Sequence, residues 1–141
     1  MILVDVNVLL ASLRTSSPGH GTARVYLEAA LVGTEPVGIL DETLTAVLRI
    51  ATNPHLSLGI DRETTLAFCK AVRSAPATQR VRAPETTWAR FVGLVEDLGL
   101  VGNDLPDAWL AALAMELGAT LATFDRGFGR FPGLAVRLLA S

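Results

Sequence analysis

Met1–Leu10 reads MILVDVNVLL, and the rest of the chain is organised around this stretch. Ile2, Leu3 and Val4 form an apolar, β-prone run on consecutive positions, the pattern of a strand covered on both faces as in a parallel sheet. Asp5 follows immediately, then Asn7 and a second apolar run. A carboxylate beside a buried strand is costly unless it is paired or holds a cation. In open α/β sheets ligands gather at the carboxyl ends of the strands, which is where Asp5 would lie. Asp5 has two readings from this stretch alone: a cap for the following helix, or the first member of a site.

Working outward, apolar runs alternate between strand and helix character. Val8–Leu13 is expected as a short helix, Thr15–Gly21 as a loop, and Ala23–Val32 as a helix. His20 falls just before that helix and reads as a cap or surface residue. Val37–Leu40 is the second strand candidate, with Asp41 placed to cap a helix whose Leu44, Val47, Leu48 and Ala51 share one face. Residues 61–73 form an amphipathic helix opened by Asp61, with Cys69 as a small core residue. Ser74–Arg82 is a loop into a short strand. Thr86–Leu98 is a helix whose Trp88, Phe91, Leu94, Val95 and Leu98 are expected in the core, closed by Gly99. Ala108–Leu117 is a strongly apolar helix stopped by Gly118. Ala119–Thr123 and Leu134–Leu139 are the last strand candidates, separated by a loop over Phe128–Gly133. Strands alternating with helices give an α/β fold with a parallel sheet.

The 141 residues, half of them hydrophobic, suit one domain over 1–141 with a sizeable core. A net charge of −2 excludes nucleic-acid binding by bulk charge, so any such contact needs a local patch. A single cysteine, Cys69, excludes an intrachain disulfide framework and fits a reducing compartment. Asp5 interrupts the N-terminal apolar run too early for a signal peptide. Arg49 and Glu116 break the two longest apolar stretches short of the roughly 18 residues a membrane span needs. The expectation is a soluble, cytoplasmic protein.

The acidic residues cluster at strand ends. Asp5 follows the first strand, Asp41 and Glu42 the second, and Asp125 a late one; Asp104 and Asp107 open a helix and share a face. Carboxylates brought together repel unless a cation intervenes. Mg²⁺ and Mn²⁺ favour such all-oxygen ligands, and can hold a phosphate oxygen and activate a water. Two histidines and one cysteine at unhelpful spacings give no zinc site. No nucleophile-elbow signature is present. Capping competes as a reading for Asp41 and Asp104 in particular.

The stretches VDVNVLL (Val4–Leu10), VLRIATNP (Val47–Pro54) and GNDLPDAWLAALAMELGATLATFDRGFGRFPGL (Gly102–Leu134) resemble the PIN-domain family, and within it the VapC-type toxins of bacterial toxin–antitoxin pairs. That resemblance implies a three-layer α/β/α domain around a parallel sheet of about five strands. It implies a Mg²⁺- or Mn²⁺-dependent ribonuclease acting on structured RNA of the translation machinery, a homodimer, and a small antitoxin partner. By position Asp5, Asp107 and Asp125 match family acids, with Asp104 as an accessory carboxylate. Two departures stand out. The family's second acid falls on Ala46, leaving Glu42 as the expected replacement and Asp41 as its competitor. Where many relatives carry a further Asp, this chain has Gly127.

The resulting expectation has Asp5, Asp107, Asp104 and Asp125 holding the metal. Glu42 or another of these acids orients the attacking water. Arg126 and Arg130 are expected to meet RNA phosphate, with Arg80 and Arg82 as weaker candidates. The competing reading is a weakened PIN domain that binds RNA or antitoxin without cutting. A phosphoryl-transfer domain with an aspartyl nucleophile is disfavoured, because the only lysine, Lys70, lies in a mid-chain helix.

Overall fold

A computed structural model describes residues 1–56 and 58–141. Five strands form one sheet: β1 (Ile2–Val4), β2 (Val37–Ile39), β3 (Thr78–Arg80), β4 (Thr120–Thr123) and β5 (Val136–Leu138). Their order is β3-β2-β1-β4-β5 and every neighbouring pair is parallel. β1 is central, with Leu3 opposite Gly38 on one side and Leu121 on the other. The chain winds outward from β1 through β2 to β3, then returns to β1's other side for β4 and β5. The crevice between β1 and β4 is therefore the point where strand order reverses, the place where α/β sheets put their ligands.

Alternation along the strands sorts the core into two layers. Val4, Val37 and Ile39 pack with Val8, Leu9, Leu27, Val47 and Val72 from α1 (Val6–Leu13), α2 (His20–Leu31), α3 (Asp41–Ala51) and α4 (Arg62–Arg73). Leu3 and Leu121 point the other way, onto α5 (Thr87–Leu98) and α6 (Asp104–Glu116). This is the expected α/β/α sandwich. Leu3 is 1% exposed, and cutting such a side chain to Ala costs about 2–5 kcal/mol. The run of Ala108, Ala111, Ala112 and Ala114 is wholly buried, which lets α6 lie close on the sheet. Gly118, at φ +63°, turns the chain out of α6 and into β4.

Several local expectations are corrected. α1 begins at Val6 and α2 at His20, earlier than periodicity suggested. His20 Nδ1 lies 2.9 Å from the Ala11 carbonyl, tying α2 to α1. Residues 126–130 form a 3₁₀ turn rather than an open loop, while α6 opens at Asp104 as its carboxylate spacing implied. Trp88 is 64% exposed, because the buried face of α5 is set by Thr87 and Leu94 instead. Its ring lies against Phe91, which meets Trp109 edge-on. Asp41 does not cap α3: Leu40 occupies the cap position, and Asp41 lies in the first turn paired with Arg73 of α4 at 2.8 Å. Asp61 does cap α4, accepting from the Thr64 N–H at 2.6 Å.

Candidate active site

Asp5 is delivered to the β1–β4 crevice by the sheet itself, its N–H donating to the Ala122 carbonyl at 3.0 Å. It occupies the cap position of α1 but makes no side-chain cap bond there. Its carboxylate instead accepts a 2.7 Å hydrogen bond from the Thr123 hydroxyl. Thr123 is wholly buried, and the same oxygen accepts from the Asn7 side-chain amide at 3.3 Å and the Asp125 N–H at 3.0 Å. The hydroxyl thus has its donor and both acceptor sites used. Asn7 Oδ1 in turn accepts from the Phe124 N–H at 3.4 Å. The end of β4 and the start of α1 are locked together behind Asp5.

Burial pushes the Asp5 carboxyl above its ordinary value. The Thr123 hydroxyl and the nearby backbone N–H groups at the start of α1 pull it down, while the charge of Asp107 pushes it up. Asp107, in the first turn of α6, is therefore an electrostatic neighbour of Asp5 across the crevice. Asp104 shares its helix face, as the spacing required: one nitrogen of Arg130, Nη2, lies 3.3 Å from Asp107 and 3.6 Å from Asp104. Asp125 caps the 3₁₀ turn that follows, accepting from the Gly127 N–H at 2.7 Å with one carboxylate oxygen. The capping readings are thus reversed: Asp41 and Asp104 make no side-chain cap, whereas Asp125 does.

The remaining candidates line two cavities. Arg126 lines a cavity of about 460 Å³ with Asn7, Gly19 and Phe124. Glu42 lines a separate cavity of about 430 Å³ at the ends of β2 and β3, with Asp41, Arg80 and Arg82. The half-buried Ala46 leaves its place in the acid set without a carboxylate. Sequence reasoning missed Thr123 and Asn7 as parts of the site. The T-x-D ending of β4 and the D-x-N after β1 were the available signals.

The donor set suits a hard cation. Asp5 feels the charge of Asp107, and Mg²⁺ is commonly held by one or two carboxylates while keeping several waters. Among the described residues no three acids, histidines or cysteines converge tightly enough to enclose an ion. Asp104 and Asp125 are satellites, engaged by Arg130 and by the 3₁₀ turn.

Comparison with known proteins places the fold. The chain is 37% identical to "Ribonuclease VapC43" of Mycobacterium tuberculosis over 138 residues, covering 97% of this chain and 94% of that protein. It is 30% identical to "Ribonuclease VapC25" of the same organism, covering 93% of each. Among solved structures, VapBC2 from Rickettsia felis bound to a promoter DNA fragment superposes with a TM-score of 0.74 at 16% identity, covering 99% of this chain and 100% of that one. The sarcin–ricin loop cleaving toxin VapC20 of Mycobacterium tuberculosis gives 0.69 at 15% identity, covering 92% and 93%. The PIN domain pattern itself matches residues 2–134, nearly the whole sheet and every acid discussed above, so this chain belongs to the PIN-domain family, in its VapC branch.

Proposed function

We propose that this protein is a Mg²⁺- or Mn²⁺-dependent endoribonuclease, the toxin of a VapBC-type pair, hydrolysing a phosphodiester bond in structured RNA of the translation machinery. The observation that carries the reading is Asp5 at the point where strand order reverses, its carboxylate held by the Thr123 hydroxyl and within reach of the charge of Asp107. Relatives named as ribonucleases over nearly the full chain support it, as does the likeness to a toxin described as cleaving the sarcin–ricin loop.

Asp5 and Asp107 would hold the metal, with Asp104 and Asp125 as accessory carboxylates. The bound cation supplies Lewis-acid activation of water and charge stabilisation on the phosphate. Thr123 fixes the Asp5 carboxylate through Oδ2. Asp125, with one carboxylate oxygen free of its cap, takes the proton of the attacking water. Glu42 is left out of that role because it lies among Arg80 and Arg82. Arg126, beside Asn7 at the edge of the crevice, contacts the RNA backbone. The partners are a cognate antitoxin and a second copy of the chain, in the cytoplasm. Among the described residues no helix is long and apolar enough to cross a membrane.

The test is cleavage of total cellular RNA by purified, antitoxin-free protein with Mg²⁺, Mn²⁺ or EDTA, beside Asp5→Asn and Asp107→Asn. Discrete fragments that need metal and both carboxylates support the reading. Ala46 and Gly127, which stand where relatives of this family carry acids, favour the second reading, a module that binds RNA or antitoxin without cutting. Absence of cleavage under every condition, with RNA binding retained, would establish that one instead.

A further inference from the structure

Arg130 leans over the acidic crevice from the 3₁₀ turn, and three ties set its pose. Nη1 donates to the Gly127 carbonyl at 2.7 Å, and the guanidinium carbon stands 4.6 Å from the centre of the Phe131 ring. Nη2 reaches Asp107 at 3.3 Å and Asp104 at 3.6 Å. The last two distances are long for charge-assisted hydrogen bonds, which run about 2.7–2.9 Å. The arginine is anchored by its own turn and leans toward the acids. Gly127 makes room for it: a Cβ there would stand 2.7 Å from Nη1 and 2.9 Å from Asp125 Oδ1.

We propose that Arg130 is a resident counter-ion of the metal centre, occupying Asp107 and Asp104 in the metal-free protein and competing with the divalent cation for them. This rests on the metal-centre reading above. A guanidinium and a hard dication seek the same carboxylate oxygens, and each repels the other. Arg130 is one-third exposed, so its hold on the acids is screened and displaceable rather than permanent. It lowers the repulsion among Asp107, Asp104 and Asp5 when no metal is present, and it raises the metal concentration needed to fill the site.

The test is Mn²⁺ binding, by calorimetry and by the electron paramagnetic resonance signal of free Mn²⁺, to the EDTA-stripped full chain. Wild type, Arg130→Gln, Arg130→Lys and Asp107→Asn are compared. Arg130→Gln is expected to bind Mn²⁺ about two- to fivefold tighter, the factor appropriate to a partly exposed ion pair. Arg130→Lys, which keeps the charge without the planar fork, falls between it and wild type. Asp107→Asn loses Mn²⁺ binding. If Arg130→Gln binds Mn²⁺ no tighter than wild type while Asp107→Asn abolishes binding, the counter-ion role is overturned and the metal centre stands. If no form of the protein binds Mn²⁺, both fail together.

Discussion

The Thr123 hydroxyl donates to the Asp5 carboxylate at 2.7 Å, joining the ends of two strands that lie 118 residues apart in sequence. The same oxygen satisfies Asn7 and the Asp125 N–H, so three elements depend on one buried hydroxyl. Thr123→Val keeps the shape and strands those donors. We expect a loss of about 1–3 kcal/mol, the cost of buried polar groups left without partners, read as a lower urea midpoint at unchanged slope. RNA cleavage should fall about 10- to 100-fold, because the Asp5 carboxylate is no longer held in place. Thr123→Ser restores most of both. A Val variant as stable and active as wild type would show that the hydroxyl holds nothing.

Asp5 carries a folding cost as well as a function. Burial and the Asp107 charge both disfavour its ionised form. In EDTA at neutral pH, Asp5→Asn removes that charge while leaving an amide oxygen to accept from Thr123. The variant is expected to melt above wild type while losing metal-dependent cleavage. A lower melting temperature would mean that the hydrogen bonds to the carboxylate outweigh its desolvation.

Acid sensitivity should come from other residues. The Glu116 carboxyl is held below its ordinary value by hydrogen bonds from Thr86 and Arg90, and that of Asp41 by Arg73. A depressed folded value means the unfolded chain binds protons first as pH falls. The stabilisation is therefore complete above the ordinary carboxylate range and is lost as pH drops through the folded values. Glu116→Gln and Asp41→Asn should each flatten the acid limb of a stability–pH curve and leave cleavage at neutral pH unchanged. Unaltered acid limbs in both would show that these pairs contribute nothing measurable.

The two-layer core and the parallel sheet were legible because β1, β2 and β4 are apolar on consecutive positions and the helices carry clear stripes. The positions of Asp5 and Asp125 followed from where β1 and β4 end, and that of Asp107 from where α6 begins. What spacing could not carry was the long-range polar chemistry. Nothing local to Thr123 or Asn7 says that they meet, since one hydroxyl among many gains its meaning from the register of β1 on β4. Asp41 looked like a cap from its place alone, but Arg73 arrives from another helix and claims it. Trp88 fitted a helical stripe wider than the contact α5 makes, so its large side chain lies outside. Glu42 was placed one turn from Ala46 by helical arithmetic, and it lines a cavity together with Arg80 and Arg82.

Asp125 and Glu42 can be separated by charge-removing substitutions of equal size. Asp125 caps the 3₁₀ turn through one carboxylate oxygen, and asparagine caps about as well as aspartate. Asp125→Asn should therefore keep the melting temperature within about a degree, given that an unchanged cap costs a few tenths of a kcal/mol at most. Its cleavage rate should fall about 100-fold, the scale of losing a general base. Glu42→Gln removes a charge from the cavity shared with Arg80 and Arg82, outside the Asp5–Asp107 crevice. Its rate should stay within about twofold of wild type, in keeping with a surface charge away from the chemistry. Single-turnover cleavage at saturating metal measures both. The reverse pattern, with Glu42→Gln inactive and Asp125→Asn normal, would move the water-activating acid to the β2 side and require α3 to shift toward the crevice when RNA binds.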